Sequence, residues 1–124
     1  MIADADVVAF VSTADPDRAC AFYRDVLGLE LVERNAFASV FDANGTMLRV
    51  TTVDRVDPAR YTVLGWLVGD IDATLRELAG RGVEPVHYDA MEQDAAGVWT
   101  SPSGARIAWF RDPDDNTLSL TQRS

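Results

Sequence analysis

Few side chains in this sequence are equipped for chemistry. His87 is the only histidine and Cys20 the only cysteine. His87 precedes Tyr88 and Asp89, with Glu92 and Asp94 just beyond. An imidazole base, or a weak cation site among Asp89, Glu92 and Asp94, can be drawn there. A solvated histidine beside a solvated acidic loop is the plainer reading. One histidine excludes a two-histidine metal site. Cys20 lies between Ala19 and Ala21 with no histidine adjacent, and reads as a packing residue rather than a nucleophile. Arg49 has the planar fork that grips a carboxylate or phosphate at two points; pairing with an internal acid, or with solvent, is the alternative. Trp66, Trp99 and Trp109 offer stacking surface for a planar ligand. Core packing competes with that role, most strongly for Trp66, which shares a strand face with Leu64 and Val68.

The elements that must position these groups can be taken in order. Val7 to Val11 is a short apolar strand. Asp15 then caps a helix with Pro16 at its first position. Ala19, Phe22, Tyr23, Val26 and Leu27 form its apolar face, and Gly28 stops it. Leu29 to Arg34, Ala38 to Asp42 and Met47 to Val53 read as strands, the last two joined through Asn44-Gly45, a tight-turn pair. After a polar stretch the order recurs. Thr62 to Val68 is a strand, Asp70 caps a helix ended by Gly82, and Val83 to Tyr88 is a strand interrupted by Pro85, hence an edge or bulge. A polar loop follows from Asp89 to Gly97, and Val98 to Thr100 leads into a final hairpin, Ala105 to Gln122. An offset of 55 residues carries Val8 onto Val63 and Asp15 onto Asp70. That is an internal duplication. The expected fold is α+β: two tandem βαβββ modules, about 5–54 and 61–122, with a linker at 54–60, forming one cupped mixed sheet with helices outside.

Composition narrows the partners. Apolar residues are 48% of the chain and charged residues 25%, an ordinary globular mixture. The net charge of −9, from 11 basic and 20 acidic residues, argues against nucleic acid and against anionic membrane surfaces. The start, MIADADVV, lacks the basic and apolar regions of a secretion signal, and no stretch nears the ~20 apolar residues of a membrane span. A lone cysteine gives no internal disulfide. The cytoplasm is the expected location.

Two stretches carry a family resemblance. FYRDVLGLEL at 22–31 and FRDPDDNTLSL at 110–120 resemble the vicinal oxygen chelate superfamily (glyoxalase, bleomycin-resistance protein and extradiol dioxygenase), whose second module closes on a "DPxGNxxEL" run. The resemblance extends over nearly the whole chain. It implies a cup in which four inward positions hold a divalent metal in the metal-dependent members. Those positions fall on Val8, Arg49 (or Thr51, two residues on), Val63 and Ser119. Valine has no lone pair, a guanidinium repels a cation and a neutral serine hydroxyl is a poor ligand. A one-residue slip would present Ala9, Leu48, Leu64 and Leu120 instead. The resemblance therefore implies a member without the usual metal ligands, and no metal or other cofactor is expected. Asp115 stands where the family turn has glycine, at a cost of about 1 kcal/mol.

Alternation lines the expected cup with Val8, Phe10, Arg49, Thr51, Val63, Gly65, Ser119 and Thr121, with Trp99 and Trp109 near its mouth. This is an apolar pocket with one guanidinium and several hydroxyls. The expected function is a metal-free small-molecule binding protein, holding a partly planar ligand that is anionic if Arg49 anchors it. The alternative is a glyoxalase- or dioxygenase-like enzyme (lyase, isomerase or oxygenase) with a displaced site drawn from Arg49, His87, Glu92 and Ser119. A regulatory module with a vestigial, self-filled cup is a third reading. The resemblance implies a homodimer, and the linker is long enough for module exchange.

Overall fold

The computed structural model describes residues 1–124. Two compact units divide the chain, Met1–Asp57 and Pro58–Ser124. In the first, after a 3-10 turn at Ile2–Asp4, come β1 (Val8–Thr13), α1 (Pro16–Ala21), β2 (Glu30–Arg34), β3 (Ala38–Ala43) and β4 (Thr46–Thr52). The second holds β5 (Leu64–Leu67), α2 (Ile71–Gly80), β6 (Trp99–Thr100), β7 (Arg106–Arg111) and β8 (Thr117–Gln122). Each is a βαβββ unit with a four-stranded mixed sheet, ordered β1-β4-β3-β2 and β5-β8-β7-β6. The first strand of each unit pairs parallel with its last. The α+β class and the duplicated topology agree with the sequence.

The helices start where their caps say they must. Asp15 accepts a hydrogen bond from the Arg18 amide at 3.2 Å, and Asp70 from the Ala73 amide at 3.0 Å, satisfying donors that a helix leaves unpaired at its first turn. α1 covers one face of the first sheet, burying Ala19, Cys20 and Tyr23 with Val11, Phe41, Leu48 and Val50. α2 covers one face of the second, burying Ile71 and Leu78 with Ala108, Phe110, Leu118 and Leu120. Trp66 stacks on Phe110 with ring centroids 6.3 Å apart, so it belongs to this core.

Two local expectations are corrected. The first helix does not run evenly to Gly28: Phe22–Val26 widens into a π turn, and the Leu27 amide donates to the Phe22 carbonyl five residues back. Val83 to Tyr88 forms no strand. Pro85 has no N–H to give, the Val86 amide makes a single bond to the Trp109 carbonyl at 2.8 Å, and the Tyr88 amide is taken by the Gln93 side chain. No ladder can grow from that. The edge position beside β7 passes to β6 instead. No helix is long and apolar enough to cross a membrane.

Candidate functional site

Each unit presents one sheet face that its helix does not cover. In the first unit the parallel register sets Phe10 beside Arg49 and Ser12 beside Thr51, with Val8 on the same face next to Met47. Phe10 is 59% exposed and Val8 40%; Arg49 and Thr51 are half-buried. Arg49 forms no ion pair and no hydrogen bond, although two acidic residues share its face. Asp42, two residues from its cross-strand partner Val40, spends a carboxylate oxygen on the Gly45 amide at 2.9 Å. That bond closes the turn in which Asn44 (φ 50°) and Gly45 (φ 92°) are left-handed, and the turn sets the β3–β4 register. Glu33, across β3 from Val40, is exposed. The guanidinium thus keeps its full set of donors.

In the second unit, Gly65, Ser119 and Trp109 form one row across β5, β8 and β7, and Leu67, Thr121, Ile107 and Trp99 form the next. A Cβ on Gly65 would stand 2.7 Å from Ser119 Oγ. Glycine is what leaves room for that hydroxyl, which is itself buried. Trp109 meets Trp99 at 6.4 Å and the edge of Tyr88 at 5.5 Å, spacings at which aromatic pairs attract. Val63 precedes β5, is 41% exposed, and donates its amide to the Thr117 carbonyl at 3.0 Å.

The structure gathers Val8, Phe10, Arg49 and Thr51 on one face of the first unit. It gathers Gly65, Trp99, Trp109, Ser119 and Thr121 on one face of the second. It does not gather the acidic loop around His87. The histidine is exposed, with Nε2 3.4 Å from the Asp94 carbonyl. The Asp94 carboxylate is committed to the Ala96 and Val98 amides at 2.9 Å each.

Sequence reasoning missed Gln93. Its side-chain oxygen accepts from the Tyr88 amide at 2.7 Å, and its amide donates to the Val86 and Gly97 carbonyls at 2.9 and 2.8 Å. This one side chain shapes the segment that carries Tyr88. Between Glu92 and Asp94 it looks like another loop polar residue, and no pattern marks it. Arg106 was missed too. It forks onto Asp72 at 2.8 and 3.0 Å and holds that carboxyl below the usual carboxylate range.

The Glyoxalase/Bleomycin resistance protein/Dioxygenase superfamily model matches residues 6–120. A superfamily member from Sphaerobacter thermophilus is 25% identical, with a TM-score of 0.72 over 96% of this chain and 98% of that one. A lactoylglutathione lyase from Agrobacterium tumefaciens is 21% identical, with a TM-score of 0.74 over 96% and 93%. A fosfomycin resistance protein from Listeria monocytogenes is 14% identical, with a TM-score of 0.75 over 98% and 94%. The last two show a shared fold only. No curated protein matches.

A resident metal does not fit the residues present. Val8 and Arg49 in the first unit, and Val63 and Ser119 in the second, offer no imidazole or carboxylate. Nowhere do three His, Cys, Asp or Glu side chains form a group that could hold an ion. No step through a metal is derived.

Proposed function

Because the chain belongs to the glyoxalase/bleomycin resistance protein/dioxygenase superfamily yet lacks a donor set at the positions where metal-dependent members hold their ion, we propose that it is a metal-free small-molecule binding protein. Its ligand is a partly planar anion. The observation that carries this reading is Arg49: a half-buried guanidinium with no carboxylate partner, beside the exposed ring of Phe10. A carboxylate seated in the guanidinium fork gains two parallel, charge-assisted hydrogen bonds, while a planar body packs on Phe10. Val8 and Thr51 complete that face. The Trp99–Trp109 pair on the second unit's open face supports the same preference for flat molecules. The protein works in the cytoplasm as a homodimer. Val32 and Phe37, 62% and 75% exposed at the β2 edge of the first unit, support an interface between copies, and light scattering in solution reads the mass.

The test is calorimetric titration with 2-naphthoate and with its neutral amide, on the wild type, Arg49→Lys and Arg49→Ala. The acid should bind saturably and the amide about tenfold more weakly, Arg49→Ala should lose that preference, and Arg49→Lys should keep part of it. The acid should be recovered unchanged by mass spectrometry. Equal binding of acid and amide would sink the reading. A product peak, or close to one metal ion per chain by elemental mass spectrometry, would replace it with the enzyme alternative.

A further inference from the structure

We propose that the second unit carries a separate site for a small phosphate monoester with a planar body, built by Arg60, Arg111 and Tyr88. These residues line a cleft of ≈ 430 Å³ with Ala59, Thr117 and Asp115. It involves neither Arg49 nor the first unit, and is independent of the function proposed above.

Charge makes the first argument. In a chain of net charge −9, five of the eleven arginines pair with a carboxylate, Arg81 with Glu77 among them. Arg24 bonds Asp25, Arg34 bonds Asp17, Arg55 bonds Asp57, and Arg106 bonds Asp72. Arg60 and Arg111 form no ion pair and no hydrogen bond, yet both open onto the same cleft. The one carboxylate in its lining, Asp115, makes no ion pair with either. Two guanidiniums against one carboxylate leave a local positive charge on an acidic protein. A dianion complements that charge better than a monoanion does, because each guanidinium can present its own fork to phosphate oxygens.

Preorganisation makes the second. Each wall of the cleft is held by bonds that do not use the groups facing it. The Thr117 hydroxyl donates to the Ala59 carbonyl at 3.2 Å, which fixes the residue before Arg60 against β8. Thr117 is also the cross-strand partner of Arg111, so the two arginines are placed from one point on the sheet. Tyr88 is held twice, through its amide by Gln93 and through its ring by Trp109. Its phenol makes no hydrogen bond and has a donor to give. Arginines on a flexible tail would bind anions weakly and without preference; here both side chains are exposed, but their backbones are held in place beside an aromatic wall, which lowers the cost of ordering them on a ligand.

The experiment titrates the intact protein with phenyl phosphate, inorganic phosphate and benzoate, by calorimetry and by tryptophan fluorescence, because Trp109 touches Tyr88. Phenyl phosphate should bind about tenfold more tightly than either comparator, since inorganic phosphate has no ring for the aromatic wall and benzoate brings one negative charge and two oxygens to two guanidiniums. Arg60→Gln and Arg111→Gln should each weaken it about tenfold. Asp115→Asn should tighten it, because it removes the one opposing charge. The titrations are run in the Arg49→Ala background, which removes the anion site proposed on the first unit, so failure here and failure of the Arg49 reading are told apart. These are surface changes, and an unchanged melting curve confirms folding in each variant. No saturation by phenyl phosphate in the millimolar range overturns the proposal. So does benzoate binding equally well, or an affinity indifferent to Arg60, Arg111 and Asp115.

Discussion

In the first unit, the row that crosses the sheet at Phe10 runs Phe10, Arg49, Val40. The matching row of the second, reached by the 55-residue offset, runs Gly65, Ser119, Trp109. Apolar bulk sits on the first strand in one copy and on the third in the other, and the middle strand changes from a long cation to a short hydroxyl. Duplication kept the backbone plan and let the open faces diverge. A ring beside a guanidinium is the pair on which the proposed anion site rests, whereas the second copy sets a serine beside an indole.

A second contrast concerns how the helix connects to the edge strand. In the first unit the chain leaves the π turn and enters β2, whose backbone pairs with β3 from Glu30 to Arg34, with one irregularity at Val32. In the second, the path from Val83 to Val98 has almost no ladder and is held by side chains. Gln93 and Asp94 bond its backbone, and Arg106 reaches both Asp72 and, at 3.9 Å, Asp94. Loss of one side chain should therefore matter little in β2 and much in the second connector.

The sharpest way to break that contrast is Gln93→Ala. It strands the Tyr88 amide and two carbonyls in a part-buried setting, and should cost about 2–3 kcal/mol in urea unfolding. Glu30→Ala on exposed β2 should stay within about 0.5 kcal/mol. Equal effects would mean that the second connector does not depend on its side chains. A smaller effect tests the rows. Gly65→Ala drives a methyl into Ser119 Oγ and should destabilise by about 1–2 kcal/mol, with part of the loss recovered in the double variant with Ser119→Ala. Additive losses would remove the steric explanation for the glycine. The smallest effect is electrostatic and depends on pH. Asp72 has its folded pKa lowered, first by the hydrogen bonds from Arg106, with burial opposing. Its contribution is therefore complete above the ordinary carboxylate range and lost as pH falls through and below about 4. Arg106→Ala should melt below the wild type at neutral pH, and the gap should narrow on acidification. A gap constant with pH would mean that the arginine acts by packing alone.

Much of the scaffold was legible in residue order. Asp15 and Asp70 announce helix starts because a carboxylate can satisfy the first free amides, and Asn44-Gly45 announces a turn because both residues tolerate φ > 0. The final hairpin was equally readable, since Asp115 does adopt the left-handed conformation at φ 64°. The strand expected at Val83 to Tyr88 failed for a definable reason. Its apolar residues have strand spacing, but strand identity needs partners for consecutive amides, and Pro85 and Gln93 remove them.

By itself, the sequence determined the repeat, the helix caps, the β-hairpin turns and the residue types at each inward position, because these depend on neighbours a few residues apart or on counting. Only the tertiary structure decided which charges are spoken for. Whether Arg49, Arg60 and Arg111 are unpaired while Arg34 and Arg106 are bound depends on carboxylates 17 to 34 residues away in the bonded cases. An ion pair is a matter of distance in space, and distance in space is what the order of residues does not state.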